Sequence, residues 1–352
     1  MKNQKRIEDY GHRIGNLERG VRNSITDVEG VLVGHVTLND GPVKTGVTAI
    51  IPSTGNLFKE KLICASHVIN GFGKSVGMMQ IDELGTLETP IVLTNTLSVG
   101  TGIDGILDYM LPENPEIGTS TGTVNSVVCE CNDGFLNDIR GRHVERGHVL
   151  EALSLAGADF MEGAIGAGTG MSCYQLKGGI GTASRIVKIE DSVFTLGALV
   201  LSNFGRTKDF TLNGDHIGLR IHREMEMKEV PKEILDERDK GSIIVILATD
   251  MPLSSRQLKR VAKRSVNGIA RTGSFTGNGS GEVVIAFSTA NRISHFEKRA
   301  SVEISILNEN VIDGAFMAVT EAVEEAVLNS MVCADVTEGR EGNRRNSLKE
   351  YL

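Results

Sequence analysis

Gly241-Ser242-Ile243-Ile244-Val245-Ile246-Leu247-Ala248 is the stretch on which the reading of the fold turns. Ile243 to Ala248 is a short unbroken apolar run, which marks a buried strand rather than an amphipathic one. The residues before it are unlike it. Residues 206–241 are charge-dense, contain Pro231 and end in Asp236-Glu237-Arg238-Asp239-Lys240-Gly241, which reads as an exposed, flexible linker. After it comes a helix capped by Ser254 or Ser255, with Leu258, Val261, Ala262, Val266 and Ile269 on its apolar face. Val283 to Phe287 is a second buried strand. Asn310 to Met331 is a long helix with Ile312, Phe316, Val319, Val323 and Val327 on one stripe, and the polar last twenty or so residues are expected to fray.

The same signals extend toward the N-terminus. Ile25 to Val33 and Thr45 to Ile51, closed by Pro52, read as strands. So do Pro90 to Val99, Val193 to Phe204, and Thr123 to Cys131, the last ended by the turn Asn132-Asp133-Gly134. Residues 144–156 have helical spacing and stop at Gly157. Strands and long helices in turn, with no internal repeat, predict a layered α/β architecture.

Composition narrows the function. The chain has 352 residues, enough for two domains or one large α/β domain. Hydrophobic residues are 40% and charged residues 23%, which is ordinary globular usage and excludes a disordered chain. A net charge of −8 argues against general binding to nucleic acid or anionic membrane. No apolar stretch is long enough for a bilayer span, and Met1 to Asn23 lacks the apolar region of a signal peptide. A cytoplasmic location is therefore expected. Five scattered cysteines without a C-x-x-C pair indicate neither a disulfide framework nor a zinc ribbon. Cys129 and Cys131 alternate on one face of a strand, where packing is the simpler role. Glycine is abundant, at 41 residues, and concentrates in Gly163–Gly181 and Gly273–Gly281. Flanking apolar runs suggest close backbone approach there rather than linker.

Several near-motifs carry no function. Gly71-Phe72-Gly73-Lys74-Ser75 ends like a P-loop, but Val68 occupies the position of the required first glycine. Gly166, Gly168 and Gly170 miss the dinucleotide spacing. Arg256, Lys259, Arg260, Lys263, Arg264 and Arg271 fit a solvated or subunit-facing helix better than a phosphate site. Asn278-Gly279-Ser280 matches a glycosylation sequon only formally. His143 and His148 are off a common helical face and no H-E-x-x-H occurs, so neither metal nor cofactor is expected.

The sharper constellation is Gly241-Ser242 with Ser280 and Glu282. A hydroxyl residue follows glycine where a polar segment meets a buried strand. Gly241 offers an unhindered carbonyl, and the strand pins the hydroxyl. Attack by Ser242 on that carbonyl would give an ester that water hydrolyses. The freed α-amine, with a pKa of about 7.7–8.0, would suit a general base. Ser280 and Glu282 are two apart at the start of a strand and can face one side. A plain Gly-Ser turn with an edge-strand charge at Glu282 explains the same residues.

With these residues in view, the sequence closely resembles the L-aminopeptidase/D-esterase family of self-processing serine peptidases, which includes β-peptidyl aminopeptidases. The blocks that carry the resemblance span nearly the whole chain. They include Ile25-Thr26-Asp27-Val28, Val33-Gly34-His35, Thr45-Gly46-Val47-Thr48, Leu93-Thr94-Asn95-Thr96 and Gly166-Ala167-Gly168-Thr169-Gly170-Met171. Lys177-Gly178-Gly179-Ile180-Gly181-Thr182-Ala183-Ser184-Arg185, Gly268-Ile269-Ala270-Arg271-Thr272-Gly273, Ser280-Gly281-Glu282 and Phe287-Ser288-Thr289-Ala290-Asn291 continue it.

The resemblance implies an α-β-β-α sandwich like that of amino-terminal-nucleophile hydrolases, with different connectivity. It implies a single catalytic domain, 1–352, cut before Ser242 into an α chain of residues 1–241 and a β chain of residues 242–352, with such pairs assembling into homo-oligomers. Ser242 matches the nucleophile, and Ser280 and Glu282 match the residues that orient it and handle protons. Asn203 matches the oxyanion-hole side chain, and Glu130 the acid that pairs with a substrate ammonium. One departure is Asn132, where some relatives carry a tyrosine; an amide can donate a hydrogen bond but cannot act as a phenol. The expected activity is removal of N-terminal residues from short peptides, amides or esters. An acyltransferase of ornithine-acetyltransferase type would carry threonine in place of Ser242. A non-enzymatic small-molecule-binding scaffold would have no use for the Ser242/Ser280/Glu282 set.

Overall fold

The structure, a computed structural model, describes residues 4–227 and 241–352. The chain runs through β1 (Leu32–Asp40), β2 (Val43–Ile51), β3 (Glu60–Gly71), α1 (Met78–Leu84), β4 (Thr86–Leu87) and β5 (Ile91–Asn95). It continues through α2 (Val99–Met110), β6 (Val127–Cys131), α3 (Arg146–Ser154), β7 (Ser172–Cys173) and β8 (Leu176–Lys177). β9 (Gly179–Ile189), β10 (Ser192–Asn203) and α4 (Gly218–Met227) follow. Beyond residue 240 lie β11 (Ser242–Thr249), α5 (Ser255–Ala262), α6 (Ser265–Arg271), β12 (Gly281–Ser294), α7 (Asp313–Val332), β13 (Thr337–Glu338) and β14 (Arg344–Arg345).

Two sheets, ordered β1-β2-β5-β6 and β4-β3-β12-β11-β10-β9, carry the architecture. The faces of β11 show why they stack. Ile244, Ile246 and Ala248 join Val33, Ile50, Leu93 and Cys129 of the other sheet in one core. Ile243, Val245 and Leu247 point the other way and pack with Leu258, Val261, Val319 and Val323 of the helices. The far side of the first sheet, with Val47, Ala49, Val92 and Val128, is covered by Ile106, Val149 and Leu153 from α2 and α3. Every apolar face is thus closed by a helix layer or the other sheet, which is the α-β-β-α arrangement expected. Cys129 and Cys131 both face the inter-sheet core as free thiols.

Several elements differ from the sequence reading. Ile25 to Val33 is not one strand. Ser24 caps a 3-10 turn over Ile25–Asp27, Asp27 accepts from the Ser24 N–H and the Ser184 hydroxyl, and the strand starts only at Leu32. Thr123 to Ser126 lie outside the strand, which begins at Val127. Pro90 to Val99 splits, because the Asn95 side chain accepts from the Leu97 N–H and turns the chain into α2. Gly157 does not cap α3, which ends at Ser154; it pairs by two backbone hydrogen bonds with Val33. The helix after Ser254 is two helices, and Val266 is only half-buried.

The segment 206–227 is not a linker. It forms a 3-10 turn and α4, with Ile221 and Met225 in the core, while residues 228–240 lie outside the described residues. From Ala318 on, α7 is buried all round rather than on one stripe, with its buried Glu321 and Glu325 held by Arg185 at 2.9 and 2.6 Å. Nor does the C-terminus fray: Leu348 and Tyr351 are buried, and the Ser347 hydroxyl donates to Ala334 O at 2.5 Å.

The glycine at 181 shows what close approach means here. A Cβ on Gly181 would stand 2.0 Å from Ala326 O and 2.6 Å from Ser330 N, so α7 lies directly against the β9 backbone. Gly181→Ala should therefore lower unfolding free energy by about 1–3 kcal/mol, the usual cost of overpacking, measured by urea denaturation. An unchanged midpoint would contradict this packing.

Candidate active site

The register of three strands builds the site. Ser242, the first residue of β11, lies opposite Asn203, the last of β10, and alongside Gly281, the first of β12. Residues directly opposite in a sheet share a face, so the Ser242 hydroxyl and the Asn203 amide both point between the sheets. The hydroxyl donates to the carbonyl of Gly241, 2.6 Å away. The Gly281 N–H donates to the same oxygen at 3.0 Å. Two donors therefore polarise the one carbonyl that Ser242 can reach. Gly281 has to be glycine: a Cβ there would stand 2.3 Å from Phe72 O and 3.2 Å from Ser242 Oγ.

Asn203 is fixed at both ends. Its Oδ1 accepts from the Ser172 N–H at 2.8 Å, and its Nδ2 donates to Asn132 O at 2.9 Å. That pattern assigns the amide orientation and occupies one of its two N–H donors. Asn132 thus enters the site through its backbone carbonyl, while its side chain accepts from the Gly134 N–H in the turn that ends β6.

Glu130, on β6, is buried. Oε1 accepts from the Lys74 N–H at 2.8 Å, and Oε2 accepts from the Thr96 hydroxyl. A Cβ on Gly73 would be 3.6 Å from Glu130 Oε1 and 4.0 Å from Gly281 Cα, so Gly73 lies between this carboxylate and the start of β12, the strand beside the nucleophile. The stretch that imitates a P-loop, Gly71 to Ser75, is in fact this wall of the site.

Ser280 and Glu282 flank Gly281 and are fully buried. Pleat alternation turns both to the face opposite the Ser242 hydroxyl, and Ser280 Oγ has no hydrogen-bond partner among the described residues. They approach the nucleophile strand from its helix side, whereas Asn203 approaches from the inter-sheet side.

A charged shell lies behind Asn203. Lys177 is buried and donates to Gly168 O, Met171 O and Gly178 O at 2.9, 2.8 and 2.7 Å, and burial pulls its ammonium down to about 7. Burial pushes the carboxyl of Asp133 up to about 7. The Lys177 bonds hold the glycine-rich loop so that Ser172 presents its N–H to Asn203. No cluster of metal-ligating side chains occurs among the described residues.

Sequence reasoning missed Gly281 N–H, Ser172, Thr96 and Lys74. Three of these act through, or beside, backbone groups, which no side-chain motif signals.

Comparison with known proteins places the whole chain. The model of peptidase family S58 matches residues 23–345. A β-peptidyl aminopeptidase BapA of Sphingosinicella xenopeptidilytica is 37% identical over 335 residues, covering 91% of this chain and 83% of the relative. The crystal structure of the PH0078 protein from Pyrococcus horikoshii OT3 superposes with a TM-score of 0.91 at 54% identity, covering 98% of this chain and 96% of that one. The L-aminopeptidase D-Ala-esterase/amidase of Ochrobactrum anthropi, described as a new variant among the Ntn hydrolase fold, gives 0.90 at 34% identity, covering 99% and 96%. The chain belongs to peptidase family S58 and is a serine aminopeptidase with an Ntn-type hydrolase fold.

Proposed function

We propose that the chain is a precursor that cuts itself between Gly241 and Ser242, and that the new N-terminal serine then hydrolyses short peptides, amino-acid amides or esters. The observation that carries this reading is the Ser242 hydroxyl on the Gly241 carbonyl, 2.6 Å away, with Asn203 on the same face. In the first step the Ser242 Oγ–C bond forms, the Gly241–Ser242 C–N bond breaks, and the hydroxyl proton ends on the departing amine. Water then cleaves the ester, leaving a Gly241 carboxylate and a free Ser242 hydroxyl. The chain acts as one catalytic domain, 1–352, in two pieces, 1–241 and 242–352.

In turnover, Ser242 attacks the substrate carbonyl and its own α-amine takes the proton. Ser280 and Glu282, on the helix side of the strand, orient that amine and move its proton. Asn203 stabilises the oxyanion; removing one such donor typically costs about 2.7–4 kcal/mol. Glu130 binds the substrate ammonium, a role favoured by its burial beside Gly73. Among the named relatives are β-peptidyl aminopeptidases and an enzyme acting on L-amino-acid and D-Ala substrates, so small aminoacyl groups are the substrate class. The enzyme works in the cytoplasm, as a homo-oligomer of cut pairs.

Intact mass spectrometry tests the cleavage. The purified protein should give two fragments, the smaller beginning at Ser242. Ser242→Ala should remain one chain and be inactive, whereas Ser242→Cys should still cut, because a thiol performs the same acyl shift. A cut Ser242→Ala protein would refute the mechanism.

The amine requirement tests Glu130. A hydrogen bond to a charged group is worth about 1.5–3 kcal/mol, so N-acetylation of an aminoacyl amide should lower kcat/KM at least ~10-fold. Glu130→Gln should preserve self-cleavage and shrink that selectivity. Equal turnover of free and acetylated amides by the wild type would remove Glu130 from the site.

A further inference from the structure

Among the described residues, no carboxylate pairs with the buried guanidinium of Arg345. Its side chain reaches in from β14, and the residue is 7% exposed. The guanidinium stacks on Phe135 at 3.6 Å from the ring centre, and Nε donates to Ser172 Oγ at 3.0 Å. Nη1 is buried with no hydrogen-bond partner among the described residues. Burial alone holds its pKa down, at about 9. Buried guanidinium groups are ordinarily paired, because an unpaired buried charge is strongly unfavourable.

The tail does not need this charge to dock. The Asn343 amide donates to Phe135 O at 2.9 Å, the Lys177 N–H donates to Asn346 O at 2.7 Å, and Leu348 and Tyr351 are buried beyond it. What Arg345 does touch is the support of Asn203. Its Nε holds the hydroxyl of Ser172, and the N–H of that same Ser172 donates to Asn203 Oδ1 at 2.8 Å.

We propose that Arg345 is a positioning residue of the oxyanion site: through Ser172 it fixes the Asn203 amide. The proposal rests on the role given to Asn203 above. The contacts fit that role: Arg345 holds the Ser172 hydroxyl while the Ser172 N–H holds Asn203 Oδ1, so the amide is arranged before the tetrahedral oxyanion forms. The nearby Lys177, with all three donors on carbonyls, secures the loop and leaves this task to Arg345.

A double-mutant cycle on one aminoacyl amide tests it, with Arg345→Gln, Asn203→Ala and the pair compared for kcat, KM and thermal midpoint. Arg345→Gln should lower kcat about 10-fold with KM nearly unchanged, a fraction of what removing an oxyanion donor itself does. Arg345→Lys should recover part of the loss. The double variant should lose little beyond Asn203→Ala, because Arg345 acts through that amide.

A folded Arg345→Gln protein with wild-type kcat overturns the proposal while leaving the role of Asn203 intact, as does a double variant whose losses multiply. Wild-type kcat in Asn203→Ala overturns both. If Arg345→Gln fails to fold, Ser172→Ala, which removes only the Nε acceptor, takes its place. Lowered kcat at unchanged KM then supports the proposal, and unchanged kcat overturns it.

Discussion

The site depends on the register of β11 between its two neighbours. Ser242 meets Asn203 on one side and Gly281 on the other only because Ile243 to Thr249 pair residue for residue with β10 and β12. Both faces of β11 are buried, so neither tolerates displacement. A slip by one residue would exchange the helix-facing and sheet-facing sets and turn the Ser242 hydroxyl away from Asn203. Each buried Val, Leu or Ile side chain contributes about 1.5–3 kcal/mol, and those side chains resist the slip together. The nucleophile is held by the hydrophobic core rather than by polar contacts of its own.

Polar groups are added to this frame at its open end. Asn203 and Glu130 each have at least two hydrogen-bond partners, several of them backbone N–H or C=O groups. Such partners cannot swing away, so the two side chains are arranged before substrate arrives. Buried ionic groups do similar work further out. Arg185 joins β9 to α7 through Glu321 and Glu325, and reaches the N-terminal segment at Ile14 O, 2.8 Å away. Lys177 ties the glycine-rich loop to the wall that supports Asn203. Removing either cation would strand buried acceptors rather than merely delete a contact.

The sequence made the layers and the nucleophile strand legible because continuous apolar runs and helical spacing are strong local signals. Ile243 to Ala248 and Val283 to Phe287 lie where those runs put them. Of the residues the resemblance names, Asn203 lies directly opposite Ser242 in the sheet, while Ser280 and Glu282 lie on the other face of the neighbouring strand. The misreadings share one cause: side-chain capping and tertiary burial overrode local composition. Ser24 and Asp27 turned an apolar stretch into a 3-10 turn, Asn95 cut a strand short, and the core took up charged α4 and the polar tail. The stretch that resembles a P-loop, Gly71 to Ser75, lies beside Glu130, where the Lys74 N–H donates to Oε1, and beside Gly281, where Phe72 O stands close. Backbone donors such as Gly281 N–H have no residue-type signature and emerge only from register.

The central claim is that Ser242 becomes both an N-terminus and the reacting nucleophile. Labelling purified wild-type protein with a fluorophosphonate, followed by peptide mapping, tests it most directly. The account predicts a phosphonyl group on Oγ of Ser242 in a peptide whose first residue is Ser242. A label on another residue, or on a Ser242 still joined to Gly241, would contradict it.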